Sequence, residues 1–168
     1  MKNQSFLPVL AKNIAIVSLA FLGGFYFTTF FHEPTSLIGG LWAVVSAIIV
    51  IEATHIETYN SAKMRIIGTF IGAVISGFYL WLFPFSLLGF VATISIGVII
   101  CYILRIPKAV KLTGITISVI IIVSTIDKEL HPFVNSGLRL AESTIGTGMA
   151  ILVAYLAHLL GSPNSIRS

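Results

Sequence analysis

Arg65, Thr69, Gly72 and Ser76 stand at i, i+4, i+7 and i+11, so on an α-helix they fall within roughly 40° of one line. One helix face then carries a cation, a hydroxyl, a bare stretch of backbone and a second hydroxyl. A guanidinium with a hydroxyl beside it is suited to binding a carboxylate. The arrangement returns at Arg139, Ser143, Gly146 and Ala150 with the same spacing. The two arginines are 74 positions apart, close to half of the 168-residue chain, which points to a duplicated unit. Each copy is preceded by an Asn-Ser pair, Asn60-Ser61 and Asn135-Ser136, residue types that favour a helix N-cap.

Other residues near these faces have two readings each. Arg65 is either an anchor at the end of a span or a contact for an anion. Glu142 follows Arg139 at i+3, the spacing of a local ion pair; the alternative makes Arg139 an attractor of anions, since charges inside a membrane are expensive and usually functional. Glu52 and Asp127 close the second and fifth apolar runs at nearly matching repeat positions. They are either solvated span ends or protonatable groups that couple transport to a proton gradient. Trp42 is either an interface anchor or a stacking surface for an aromatic ligand. Gly68, Gly72 and Gly146, with Gly77 and Gly148, read as sites of close helix packing. His55, Glu57, Glu129 and His131 match no metal-ligand spacing, so no metal is expected. There is no phosphate-binding glycine loop, no G-x-S-x-G and no H-E-x-x-H. The expectation is a protein that is not an enzyme and needs no cofactor, with any active transport driven by an ion or proton gradient.

The elements that must position these residues are set by composition. Hydrophobic residues make up 57% of the chain and charged residues 10%, too many apolar side chains for so small a body to hide from water. Lipid is the solvent, and the chain is read as an all-α integral membrane protein. The net charge of +4 would suit nucleic acid in a soluble protein. Here the basic residues sit in short loops between apolar runs, where they set orientation, so no nucleic-acid partner is expected. Cys101 lies inside an apolar run and reads as an inert buried thiol. Lys2 and Lys12 precede a run too long for a signal peptide and lacking a small-x-small cleavage site, so it reads as a retained first span.

Asn13 to Phe31 is an uncharged first span ending at His32-Glu33-Pro34, and Thr35 to Ile51 is a second. Glu52 to Lys63 reads as a polar loop. From Ile66 to Leu104 there is no charge for 39 residues, a length of roughly 58 Å as one helix and nearly double a bilayer core. Pro84, between Phe83 and Phe85, breaks that run into spans at about 64–83 and 85–104. After the basic loop Arg105 to Lys111, Leu112 to Ile126 is the fifth span. Asp127 to Asn135 is a polar loop, Leu138 to Leu160 the sixth span, and GSPNSIRS a short polar tail.

With the N-terminus in the cytoplasm, Lys2, Lys12, Lys63, Arg65, Arg105, Lys108, Lys111 and Arg167 lie on the cytoplasmic side and only Lys128 and Arg139 opposite. The positive-inside rule therefore puts both termini in the cytoplasm. Three spans per repeat is an odd number, so the second half enters the membrane inverted. The expected architecture is one domain of six transmembrane helices as a 3+3 inverted repeat, with repeat one at about 13–83 and repeat two at about 85–160. Arg65 and Arg139 would stand at the two ends of one path.

Leu41-Trp42 and the segment Ala62 to Ala73, with its R-x-x-G-T-x-x-G-A motif, resemble the membrane domain of the fusaric acid resistance (FUSC) and aromatic acid exporter family. Arg139-Leu-Ala-Glu142-Ser-Thr-Ile-Gly146 is similar to the R-x-x-E-x-x-x-G segment of that family's sixth span. The family is similar in turn to aluminium-activated malate transporter anion channels, in which basic residues on the third and sixth spans line the anion path. The resemblance implies a multi-pass protein of the bacterial inner membrane that exports aromatic carboxylic acids or related toxic compounds. It also implies a homodimer in the lipid bilayer, because this chain has one six-span unit where the usual exporter has two. Arg65 and Arg139 would bind the organic anion, with Thr69, Ser143 and Trp42 beside them. A passive anion channel on the same framework and a membrane scaffold that transports nothing are the alternatives.

Overall fold

The computed structural model describes residues 6–160. Lys2, Arg167 and the tail from residue 161 lie outside the described residues. Helix α1 is Phe6–His32, α2 Ser36–Val50, α3 His55–Leu82, α4 Leu87–Ile103, α5 Val110–Ile126 and α6 Pro132–Leu160. Two 3-10 turns, Glu33–Thr35 and Pro107–Ala109, lead into α2 and α5, each with proline in its first positions. The described residues contain no strand.

Four helical stretches are long and apolar enough to cross a membrane: Val9–Val50, His55–Leu82, Pro107–Ile126 and Pro132–Leu159. The first contains α1, its 3-10 turn and α2; α4, with 17 residues, is a shorter apolar helix. Large apolar side chains stand exposed on every helix, Phe30 and Leu88 each at 84%. Water would not tolerate such a surface, and hydrocarbon does.

Two expected loops are helical. The sequence predicts a loop from Glu52 to Lys63, yet α3 begins at His55; it predicts another from Asp127 to Asn135, yet α6 begins at Pro132. The Asn-Ser pairs are therefore not N-caps. Thr54 caps α3 instead. Its Oγ1 accepts from the Glu57 amide at 3.2 Å, while Glu57 Oε2 accepts from the Thr54 amide at 3.2 Å, a reciprocal capping box. In α6 the proline holds the first helical position, where its missing N–H is no loss. As a result α3 and α6 run for 28 and 29 residues, roughly 42 Å each, longer than a bilayer core.

The described residues form two compact units, one of residues 6–62 with 144–160, the other of residues 63–143. In the first, α1 and α2 fold into an antiparallel hairpin. A Cβ on Gly40 would meet the Phe21 ring, and one on Gly24 would run into Gly39 and Ala43. Ile16, Ala20, Ala43, Ala47, Val50, Ala62 and Ala150 form the core. Small side chains there let backbones approach, which is how helices hold together where lipid removes the usual hydrophobic drive. In the second unit, α4 and α5 make the corresponding hairpin. Gly97 abuts Ile117 and Thr113, and Cys101 Sγ lies 3.3 Å from Thr113 Oγ1. The α3 segment from Lys63 and the α6 segment to Ser143 complete it.

Candidate functional site

The second unit holds both arginines. Helix α3 lies parallel to α5, because Gly68 faces Leu112 and Ala109 while Gly72 faces Thr113 and Thr116. A Cβ on Gly72 would stand 2.9 Å from the Thr113 carbonyl oxygen, so the close approach needs glycine. Helix α6 runs antiparallel to α3. Thr69 meets Ser143, and further along Gly77 meets Phe133 and Ser136, while Phe78 stacks edge-on against Phe133.

The middle of the α3–α6 seam is polar. Thr69 Oγ1 and Ser143 Oγ are 3.2 Å apart, and Thr116 Oγ1 of α5 donates to the Leu112 carbonyl at 3.0 Å and lies 3.5 Å from Thr69 Oγ1. Arg65 and Arg139 flank this hydroxyl layer, each fully buried. Each stands four residues from the Thr69–Ser143 contact on antiparallel helices, which separates them by roughly 12 Å along the seam. Arg139 Nη1 pairs with Glu142 Oε2 at 2.9 Å, both side chains fully buried. The position equivalent to Glu142 in the first copy is Gly68, so Arg65 has no i+3 carboxylate. Arg65 is ten residues, roughly 15 Å, into α3.

The remaining candidates lie elsewhere. Trp42 is in the first unit, buried at 5% exposure within α2, and its carbonyl accepts from Ser46 Oγ. A ring so enclosed is not an exposed interface anchor. Glu52 is exposed and accepts from Ser61 Oγ at 3.0 Å. Asp127 is half-buried at the end of α5 and accepts from the Glu129 amide. Gly146 packs directly on the Ala43 backbone within the first unit, as Gly72 packs on α5 in the second. Gly148 has nothing near it and is no packing site. Among the described residues no three His, Cys, Asp or Glu side chains gather as metal ligands would.

Two buried polar positions are not marked by any motif in the sequence. Thr116 supplies the third hydroxyl of the layer, and only its place seven residues from Ala109, on the face of α5 that meets the glycines of α3, marks it. Asn135 is fully buried, and its Nδ2 donates to the Ile120 carbonyl at 3.1 Å and to Ser124 Oγ at 2.8 Å, tying α6 to α5. The available signal was an asparagine three residues after a helix-starting proline, well inside the helix.

The profile of the family described as fusaric acid resistance protein-like matches residues 19–153. The chain belongs to that family. The match takes in both arginines, the hydroxyl layer and the ion pair of this FUSC-family protein. With its apolar helices, membership makes it a multi-pass membrane protein of a transport family. Comparison with curated proteins and with solved structures gives no match.

Proposed function

We propose that this protein carries organic anions across the membrane, exporting aromatic carboxylic acids or related toxic compounds, and works as a homodimer in the bacterial inner membrane. The observation that carries the reading is the pair of fully buried guanidinium groups, Arg65 and Arg139, on either side of a layer of hydroxyls. A buried cation in a membrane protein is retained where something anionic must be met. Each charge-assisted contact to a carboxylate would contribute about 1.5–3 kcal/mol before desolvation is subtracted. The hydroxyls of Thr69 and Ser143 would serve a carboxylate in passage between the two cations.

The same reading takes the six helices as a 3+3 inverted repeat with cytoplasmic termini. Several offsets of 74 support it: the 3-10 turns begin at Glu33 and Pro107, α2 and α5 begin at Ser36 and Val110, and Thr69 bonds its own equivalent, Ser143. A pseudo-two-fold axis through that hydrogen bond would relate Arg65 to Arg139 and put the site where inverted-repeat transporters have it. Coupling to a proton or ion gradient would fall to carboxylates, Glu142 within the seam and Glu52 and Asp127 at the ends of α2 and α5.

The test is flux of a panel of carboxylates into proteoliposomes, with and without a pH gradient, for the parent and for Arg65→Ala and Arg139→Ala. Saturable flux that responds to the gradient and is lost in both variants is expected. Conductance that follows the anion gradient alone would make the protein a channel. Flux unchanged in both variants would leave a scaffold.

A further inference from the structure

The seam is not uniformly satisfied. Thr69, Ser143 and Thr116 hydrogen-bond one another, but Ser76 Oγ, Ser136 Oγ and Asn135 Oδ1, towards the α3 C-terminus, are buried without any hydrogen-bond partner. Ser76 and Asn135 are fully buried and Ser136 is 6% exposed. All three are in the second unit, Ser76 on α3 and Asn135 and Ser136 on α6. A Cβ on Gly77, the neighbour of Ser76, would stand 3.1 Å from Ser136 Oγ. The Asn135 amide is held by its nitrogen, which donates to α5, leaving the oxygen on the other branch.

A buried polar atom left unsatisfied costs about 1–3 kcal/mol, and folded proteins keep few of them. Alanine at 76 and 136 would avoid that cost. Three such oxygens on two facing helices, three and four residues before Arg139 on α6, call for a mobile partner that can both donate and accept. Water meets that description, being small enough for a helix–helix seam and able to satisfy hydroxyls and a lone carbonyl together.

We propose that Ser76, Asn135 and Ser136 line a water-filled vestibule. It opens at the outer end of the α3–α6 seam and leads to Arg139, and the Thr69–Ser143–Thr116 hydroxyl layer closes its floor. The hydrated anion and Arg139 would exchange water for guanidinium there, with the hydroxyls replacing the departing hydration shell. The outward direction rests on the cytoplasmic termini of the proposed function; the wet recess itself rests only on the three oxygens.

Serine-to-cysteine substitution tests this directly. In proteoliposomes of known orientation, Ser136→Cys and Ser76→Cys are exposed to a membrane-impermeant anionic thiosulfonate, sulfonatoethyl methanethiosulfonate, with the native buried Cys101 as an internal reference. Both introduced thiols should react from the outer side at least about tenfold faster than Cys101, since reaction needs a hydrated thiolate. The Arg139→Ala background should slow them, because the cation at the base draws the anionic reagent in. Reaction as slow as Cys101 at both positions overturns the vestibule, and reaction only with reagent inside the vesicle overturns its outward opening. Benzoate should protect both thiols. Fast labelling that no carboxylate slows would uphold the vestibule and count against the carboxylate-carrier reading, so the two fail separately.

Discussion

Thr69 and Ser143, equivalent positions in sequence segments 74 residues apart, share a hydrogen bond of 3.2 Å. Two copies of one motif touch at the same residue, so the flanking arginines are held at matched distances from the contact. Removing one hydroxyl should therefore loosen both sides of the seam. Thr69→Val, which keeps the shape, should lower flux of a transported carboxylate by about tenfold, while costing about 1 kcal/mol of stability. Flux assays beside thermal unfolding in detergent separate the two effects.

The Arg139–Glu142 pair makes a prediction about sign. Arg139→Met alone leaves a buried carboxylate uncompensated and should destabilise the protein by about 3–5 kcal/mol. Arg139→Met with Glu142→Leu should recover most of that stability, because well-packed apolar replacements of a buried pair are often neutral. Flux should not recover. An unfolding series of the three proteins checks the first part and proteoliposomes the second.

Glu142→Gln keeps the size of the side chain and removes the internal competitor for Arg139. Apparent affinity for a carboxylate should rise by about tenfold, a change of 1.4 kcal/mol. Dependence on the pH gradient should disappear if Glu142 carries the coupled proton. Glu52→Gln, at an exposed position, and Asp127→Asn, at the half-buried end of α5, should change flux by less than about threefold, charges that reach solvent being weakly coupled to their surroundings. Initial rates across a range of substrate concentrations and pH gradients read all three variants.

Two glycines two residues apart on α6 should behave in opposite ways. A Cβ on Gly146 would collide with the Ala43 backbone, which cannot turn aside as a side chain can, whereas nothing stands within 4 Å of Gly148. Gly146→Ala should destabilise by about 3 kcal/mol or more. Gly148→Ala should stabilise by about 0.8–1 kcal/mol through helix propensity. Midpoints of thermal unfolding decide it.

Asn135→Ala should cost about 1–3 kcal/mol by leaving the Ile120 carbonyl and Ser124 hydroxyl without their donor. Asn60→Ala, at an exposed position of α3, should fall within about 0.5 kcal/mol of the parent. The same unfolding assay distinguishes the members of what in sequence looked like matched pairs.

The helical class and the breaks at Pro34 and Pro84 were legible because hydropathy and proline act locally. The arginine stripe was legible for the same reason, since i, i+4, i+7 spacing places residues on one face whatever lies opposite. Helix starts were misread where polar composition was taken for a loop. Thr54-x-x-Glu57 is a capping box in plain sight, yet the eight residues after Thr54 are too polar to look like part of a span. Those residues are helical because α3 continues past the thickness of the bilayer. Which residues complete the layer could not be read at all. Thr116 bonds Thr69 across 47 positions, and nothing local to either predicts that. Burial of the Arg139–Glu142 pair is likewise a tertiary property, although its i+3 spacing is visible in the sequence.

The first unit draws its last wall, with Ala150 in its core, from the part of α6 that follows Ser143, while the earlier part of the same helix belongs to the second unit. A ribosome delivering these helices in order finishes α1 and α2 long before that wall exists. The early hairpin must therefore wait in the bilayer with the Ala43 flank that receives Gly146 open, and a transcript cut short before α6 would strand both units at once rather than release one finished half.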